Sequence, residues 1–153
     1  MNLIRYFFVI ACLFLTIQTI AQKPVTPKPI KQIKFKTTLG GYKNNDSIYK
    51  VVADSVIGMP LVIRDDKNKT YEVSSYEFLY RKFVTSEDET TGKPYRTSQV
   101  RSQLFKATPL KQTWLNFVRE ELKPGEELHF FAVIVKDGKG NVMYAPDLKI
   151  TIK

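Results

Sequence analysis

Along most of the chain from Ile33 onward, apolar side chains recur at every second position, and that period decides the class of fold it can form. Successive residues of a strand point to opposite faces, so a two-residue repeat buries one face of a sheet. A helix instead needs apolar residues three and four apart. Ile33, Phe35 and Thr37 alternate with Lys34, Lys36 and Thr38, and Gly40-Gly41 ends the run. Asn44-Asn45-Asp46 is a turn cluster. Met59 to Ile63 reads as a short strand, turned by Asp65-Asp66-Lys67-Asn68. Tyr71 to Phe83 is the longest strand expected. Tyr71, Val73 and Ser75 fall on one of its faces, and Ser74, Tyr76, Phe78 and Tyr80 on the other. Aromatic residues on both faces predict a central strand, or a bulge that shifts the register. Thr85 to Gln99 is polar, contains Gly92 and Pro94, and reads as an exposed loop at the tip of a long hairpin.

The end of the chain carries the clearest hairpin. Leu128, Phe130, Ala132 and Ile134 alternate with His129, Phe131, Val133 and Val135, and both sets are largely apolar, so both faces of this strand are expected to be covered. Asp137-Gly138-Lys139-Gly140-Asn141 supplies turn residues that tolerate positive φ. Val142 to Lys153 returns, broken at Pro146, and closes with Leu148, Ile150 and Ile152 in alternation. One segment has a helical period instead. Thr108 suits a cap and Pro109 a first helical position. Leu110, Trp114, Phe117, Val118 and Leu122 then form one apolar stripe, with Trp114 as a core anchor, and Lys123-Pro124-Gly125 stops the helix. Ser47 to Ser55 is ambiguous: Ile48, Val51 and Val52 have helical spacing, but their β-branched side chains favour a strand. Together these segments predict a mainly β, sandwich-like (immunoglobulin-like) single domain with one short α-helix near residues 109–122.

The first residues differ from the rest. Arg5 precedes an apolar run from Tyr6 to Ile17, and Thr19-Ile20-Ala21 offers small residues where a signal peptidase needs them. Residues 1–21 are therefore expected to be a cleavable secretory signal, because the run is shorter than the ~20 apolar residues that span a bilayer. Val9-Ile10-Ala11-Cys12 resembles a lipidation site, but the apolar run continues past Cys12 where a polar tether would be required. Residues 22–31 contain three prolines and read as a stiff, extended linker. The domain is expected over residues 32–153.

Cys12 is the only cysteine, so the chain after Ala21 has no thiol for disulfides, thiolate catalysis or zinc. The formal charge is +9, and only Arg5 is charged before Gln22. The clearest basic cluster is Lys23, Lys28, Lys31, Lys34 and Lys36. Neither a basic stripe with interleaved aromatics nor an intracellular address points to nucleic acid, which is excluded as a partner. His129, the only histidine, has no second member for a triad or a metal cluster. The acidic run Glu87-Asp88-Glu89 lacks the alternating ligands of a calcium loop. The glycines form no phosphate loop. No catalytic, cofactor-binding or metal-binding residue emerges, no cofactor is expected, and a non-enzymatic binding domain remains.

The order of parts in the second half carries a resemblance. Tyr71-Glu72-Val73-Ser74-Ser75-Tyr76 is followed by a helix ending Phe117-Val118-Arg119-Glu120-Glu121-Leu122, and then by Leu122-Lys123-Pro124-Gly125-Glu126-Glu127-Leu128. Phe130 to Asn141, with its Asp137-Gly138 hairpin, and a terminal strand complete the series. This resembles the C-terminal domain of GldM, the gliding-motility and type IX secretion protein of the Bacteroidetes, over roughly Met59 to Lys153. The resemblance implies a β-rich periplasmic module that docks onto other proteins, and it brings no catalytic residues. In that family a membrane helix and several domains precede this one, whereas here the expected signal leads straight into it. A role as the motor shaft is therefore not implied. The reading is a periplasmic or envelope-associated protein-interaction module with a protein partner in the cell envelope, not integral to the membrane once the signal is cleaved. The alternative is a secreted glycan- or cell-surface-binding module, suggested by the basic charge and the tyrosine in the Thr85–Gln99 segment.

Overall fold

A computed structural model describes residues 33–153. The expected signal over 1–21, with Cys12, and the linker over 22–31 lie outside the described residues. Eight strands and two helices follow in the order β1 (Phe35–Leu39), β2 (Asp46–Ile48), α1 (Lys50–Val56), β3 (Leu61–Asp65), β4 (Thr70–Glu87), β5 (Pro94–Phe105), α2 (Gln112–Glu121), β6 (Glu127–Lys136), β7 (Val142–Tyr144) and β8 (Leu148–Ile152). The fold is mainly β and sandwich-like, as the two-residue period predicts. One curled sheet runs β1-β3-β4-β6-β8-β2, with β5 added beside β4 and β7 beside β6. The pairings are antiparallel except that between β2 and β8.

Strand β4 organises the sheet. Its first residues pair with β3, and from Glu72 onward it pairs with β6 on one side and, from Tyr76, with β5 on the other. Between Val73 and Ser75, β4 carries one residue, Ser74, that β6 does not match. Between Phe131 and Ile134, β6 carries Ala132 and Val133 against the single Tyr76 of β4. The two insertions compensate, and each reverses which side of its strand is buried. In β4 the buried set passes from Tyr71 to Tyr76, Phe78 and Tyr80. In β6 it passes from Leu128 and Phe130 to Val133 and Val135, while Ala132 is exposed with φ of 48°. This corrects the expectation that both faces of β6 are covered. The strand has one core face, and the extra apolar residues mark a change of phase.

The core is built on that face. Tyr76, Phe78, Tyr80, Phe105 and Phe130 are buried beside Leu128, Leu148, Ile150 and Ile152. Helix α2 covers them with Leu115 and Val118, while Trp114 and Phe117 are half-buried at its margin. Trp114 meets Phe78, Phe105 and Phe117 edge-on at centroid distances of 5.6, 5.9 and 5.9 Å. The helix starts later than the sequence suggests. Thr108 does not cap it; its hydroxyl accepts the Leu61 N–H at 2.8 Å and so ties this connection to β3. Pro109 follows through a cis peptide, and Lys111 precedes the helix without a side-chain cap. The ambiguous stretch after Asp46 holds both states in sequence, the strand β2 and then the second helix, α1, which buries Ala53 and Val56. The expectation of one helix is corrected to two.

Turn chemistry follows the sequence closely. Asp65 accepts the N–H groups of Lys67 and Lys69, and Asp137 those of Lys139 and Asn141, all within 2.9 Å. Asp88 does the same for Thr90 and Thr91 and also accepts the Thr91 hydroxyl. The Lys123-Pro124-Gly125 stop is closed by Glu126, whose buried carboxylate accepts the Lys123 N–H at 2.8 Å and the Tyr80 hydroxyl.

Candidate functional site

The largest departure from expectation lies in Thr85 to Gln99, where the structure has strand instead of loop. The ladder of β4 with β5 is unbroken from Tyr76–Phe105 to Glu87–Pro94, and only the residues between Glu87 and Pro94 turn the chain. Asp88, which the sequence leaves in a solvated acidic run, is occupied by this turn. A strand of 12 residues rising ~3.3 Å each extends about 40 Å. Because β6 stops pairing at Arg81, the part of β4 from Lys82 to Glu87 pairs with β5 alone, so the hairpin overhangs the sheet by about 20 Å. No residue from Val84 to Thr97 is buried.

Strand β5 is exposed on both faces along nearly its whole length, with Phe105 alone buried. Such a strand shows no apolar alternation, which is why periodicity missed it. Among the described residues it pairs only with β4, so its second edge presents unpaired backbone groups. Tyr95, Val100 and Leu104 are about half exposed on it.

Where β5 meets α2, two shallow hollows adjoin this edge. One, of about 310 Å³, is lined by Arg101, Thr113, Trp114 and Phe117. Arg101 lies over the Phe117 ring at 4.6 Å, and the Trp114 indole N–H donates to the Gln103 side chain. The other, of about 270 Å³, is lined by Leu104, Phe105, Lys106, Ala107, Pro109 and Lys111. A third hollow, of about 440 Å³, lies between β1 and β3. Several of its polar groups are turned to one another: Thr38 donates to the Val62 carbonyl, Arg64 to Asn68, and Asp65 is taken up by its own turn.

Charge distinguishes the β5 side. From Thr90 to Arg119 the chain has six basic residues and no acidic one. Arg119 is engaged with the Asp54 carbonyl at 2.9 Å, while Lys93, Arg96, Arg101, Lys106 and Lys111 are exposed. Clustered lysines alone do not reveal this run, because its mark is a missing sign; counting acids along the chain finds it. Of the lysine cluster, Lys23, Lys28 and Lys31 lie outside the described residues, and Lys34 and Lys36 are exposed at the start of β1, away from this run in the chain.

Several other charged residues have local partners. His129 is half-buried on the outer face of β6, its ring tilted against Phe131 and its Nε2 3.4 Å from Asp147. Glu127 holds Arg81 at 3.3 Å and Lys149 at 3.7 Å, and Glu121 holds Lys82 at 2.9 Å. That last contact, with the lysine charge beside it, keeps the Glu121 carboxyl below its ordinary value. Among the described residues no three His, Cys, Asp or Glu side chains are placed to hold a metal ion. No helix there is long and apolar enough to cross a membrane. No protein-family profile matches this chain, and neither does any curated protein sequence.

Proposed function

We propose that this domain is a non-enzymatic protein-interaction module of the cell envelope, an accessory relative of the gliding and type IX secretion apparatus, with the β4–β5 hairpin as its contact element. The observation that carries the reading is β5 itself: a long, regular strand, exposed along nearly its whole length, whose second edge has no partner among the described residues. An edge of this kind is a template for pairing with another chain, and natural folds generally shorten, bend or cover it. Here neither a bulge nor an internal proline interrupts β5. Support for the family comes from the order of parts that resembles the GldM C-terminal domain: β4, then α2, the Pro124-Gly125 turn, β6, the Asp137-Gly138 hairpin and β8. Support for the compartment comes from the signal pattern in residues 1–21.

The direct test is affinity capture of the tagged full chain from its native envelope under mild crosslinking, followed by identification of what is held. Recovery of a specific envelope protein is the expected result. Capture of no envelope protein overturns the reading. A selective response on a glycan array or in a peptidoglycan pull-down, in place of a protein, moves the assignment to the glycan- or surface-binding alternative.

A further inference from the structure

Resting on the interaction reading above, we infer that the free edge of β5, over Gln99 to Phe105, accepts an extended acidic segment of a partner protein as an added strand. Each residue from Tyr95 to Ala107 keeps a backbone N–H, since none is proline, and the register with β4 is continuous. The outward row of donors and acceptors is therefore regular, as strand addition requires.

Charge selects the occupant. Side chains on neighbouring strands stand ~5 Å apart, so a residue on an added strand lies beside the cations of β5. Arg101 rims one hollow at this edge, and Lys106 and Lys111 rim the other. None of the three forms a salt bridge among the described residues, and Glu121, the carboxylate whose field Arg101 feels, is already held by Lys82 at 2.9 Å. Glu87, Asp88 and Glu89 stand at the far tip, which places the acceptor stretch toward the α2 end. A second copy of this chain is disfavoured, because pairing two β5 edges would set side by side two strands that each carry Arg96 and Arg101 and no carboxylate between Tyr95 and Phe105. The hollows are lined by Trp114 and Phe117, and by Leu104, Phe105 and Pro109, so apolar side chains interspersed with the carboxylates complete the match.

The probe is a fluorescein-labelled 12-residue peptide of alternating valine and glutamate, titrated against the full chain by anisotropy. A peptide with lysine for glutamate, and a glutamate peptide methylated on alternate backbone amides, serve as controls. Each control is expected to bind at least tenfold more weakly. The K106E/K111E chain, altered at two exposed positions, is expected to bind the glutamate peptide at least tenfold more weakly, with unchanged circular dichroism. Backbone amides of Gln99 to Phe105 gain hydrogen-exchange protection in the complex. Equal binding of the methylated peptide overturns strand addition, and equal binding of the lysine peptide overturns acidic selection. Saturable binding of phosphatidylglycerol vesicles or a sulfated polysaccharide, with none of the peptide, also overturns the inference. Capture of the same envelope partner by wild-type and K106E/K111E chains overturns it while leaving the interaction reading intact.

Discussion

Glu126 is the one acidic residue buried among the described residues, and its surroundings explain why it is tolerated. It takes the Tyr80 hydroxyl and the Lys123 N–H on the same oxygen, at the point where α2 ends and β6 begins. Burial first, and then the carboxylate beside it, push the Tyr80 phenol far above its ordinary range. Glu126→Ala leaves both donors without this acceptor in a buried place, and is expected to lower stability by about 1–3 kcal/mol. Glu126→Gln keeps an acceptor oxygen and should cost less; urea unfolding of the two variants measures the order. The turn aspartates act at the surface. Hydrogen bonds from their own turns hold the carboxyls of Asp65, Asp88 and Asp137 below the ordinary aspartate value. As the pH falls, the unfolded chain takes up protons before the folded one. The stabilisation is therefore complete above about pH 4 and disappears as pH drops through the lowered folded values. An Asp137→Asn variant is expected to differ from wild type in urea midpoint at about pH 6, and the difference should shrink toward about pH 2.5.

Among the elements, the β4–β6 pair shows what sequence patterning can mislead about. Two apolar sets in β6 read as two covered faces, but Ala132 enters the left-handed region and hands the core face from one set to the other. Its methyl group is exposed, so the backbone conformation alone decides which residues suit the position. Ala132→Gly is expected to stabilise the domain by up to about 1 kcal/mol, because a non-glycine residue is penalised at positive φ. Ala132→Val is expected to destabilise it by about 1 kcal/mol or more, since a β-branched side chain fits that region least. Paired thermal melts decide both, and equal melting temperatures for all three chains would contradict the bulge. The strands with one buried face, β1, β3 and β8, are legible because each alternates. Strand β5 is not, because nothing covers either of its faces. The start of α2 is misplaced for a different reason: the Thr108 hydroxyl is drawn to Leu61, a residue far away in the chain.

For the molecule as a whole, the core and the hairpin overhang are separable. The core closes around β4, β6, β8 and the two helices, whereas the hairpin from Val84 to Thr97 contributes no buried residue. Replacing that stretch with Asn-Gly between Phe83 and Ser98 is expected to leave a cooperatively folded domain. Its melting temperature should fall only a few degrees, about what a loss of ~1 kcal/mol produces in a domain of this size. The replacement removes the turn bonds of Asp88 and, toward the rest of the domain, the stacking of Arg96 on the Phe83 ring at 4.2 Å. A broad or absent unfolding transition would show that the hairpin is part of the core. The candidate site is half legible: the acid-free run is plain in the sequence, but a run of one charge becomes a surface only when its residues share an edge.

From its sequence alone the chain determined its class and its punctuation. The two-residue period requires sheets, and Asp, Gly and Asn at the turns require hairpins, because both are local consequences of backbone geometry. Only the tertiary structure decided which edge remains unpaired, where the register shifts, and that a polar stretch is strand instead of loop. Those outcomes depend on what each segment meets across the sheet. Backbone pairing can hold a strand whose own side chains bury almost nothing, as β4 holds β5.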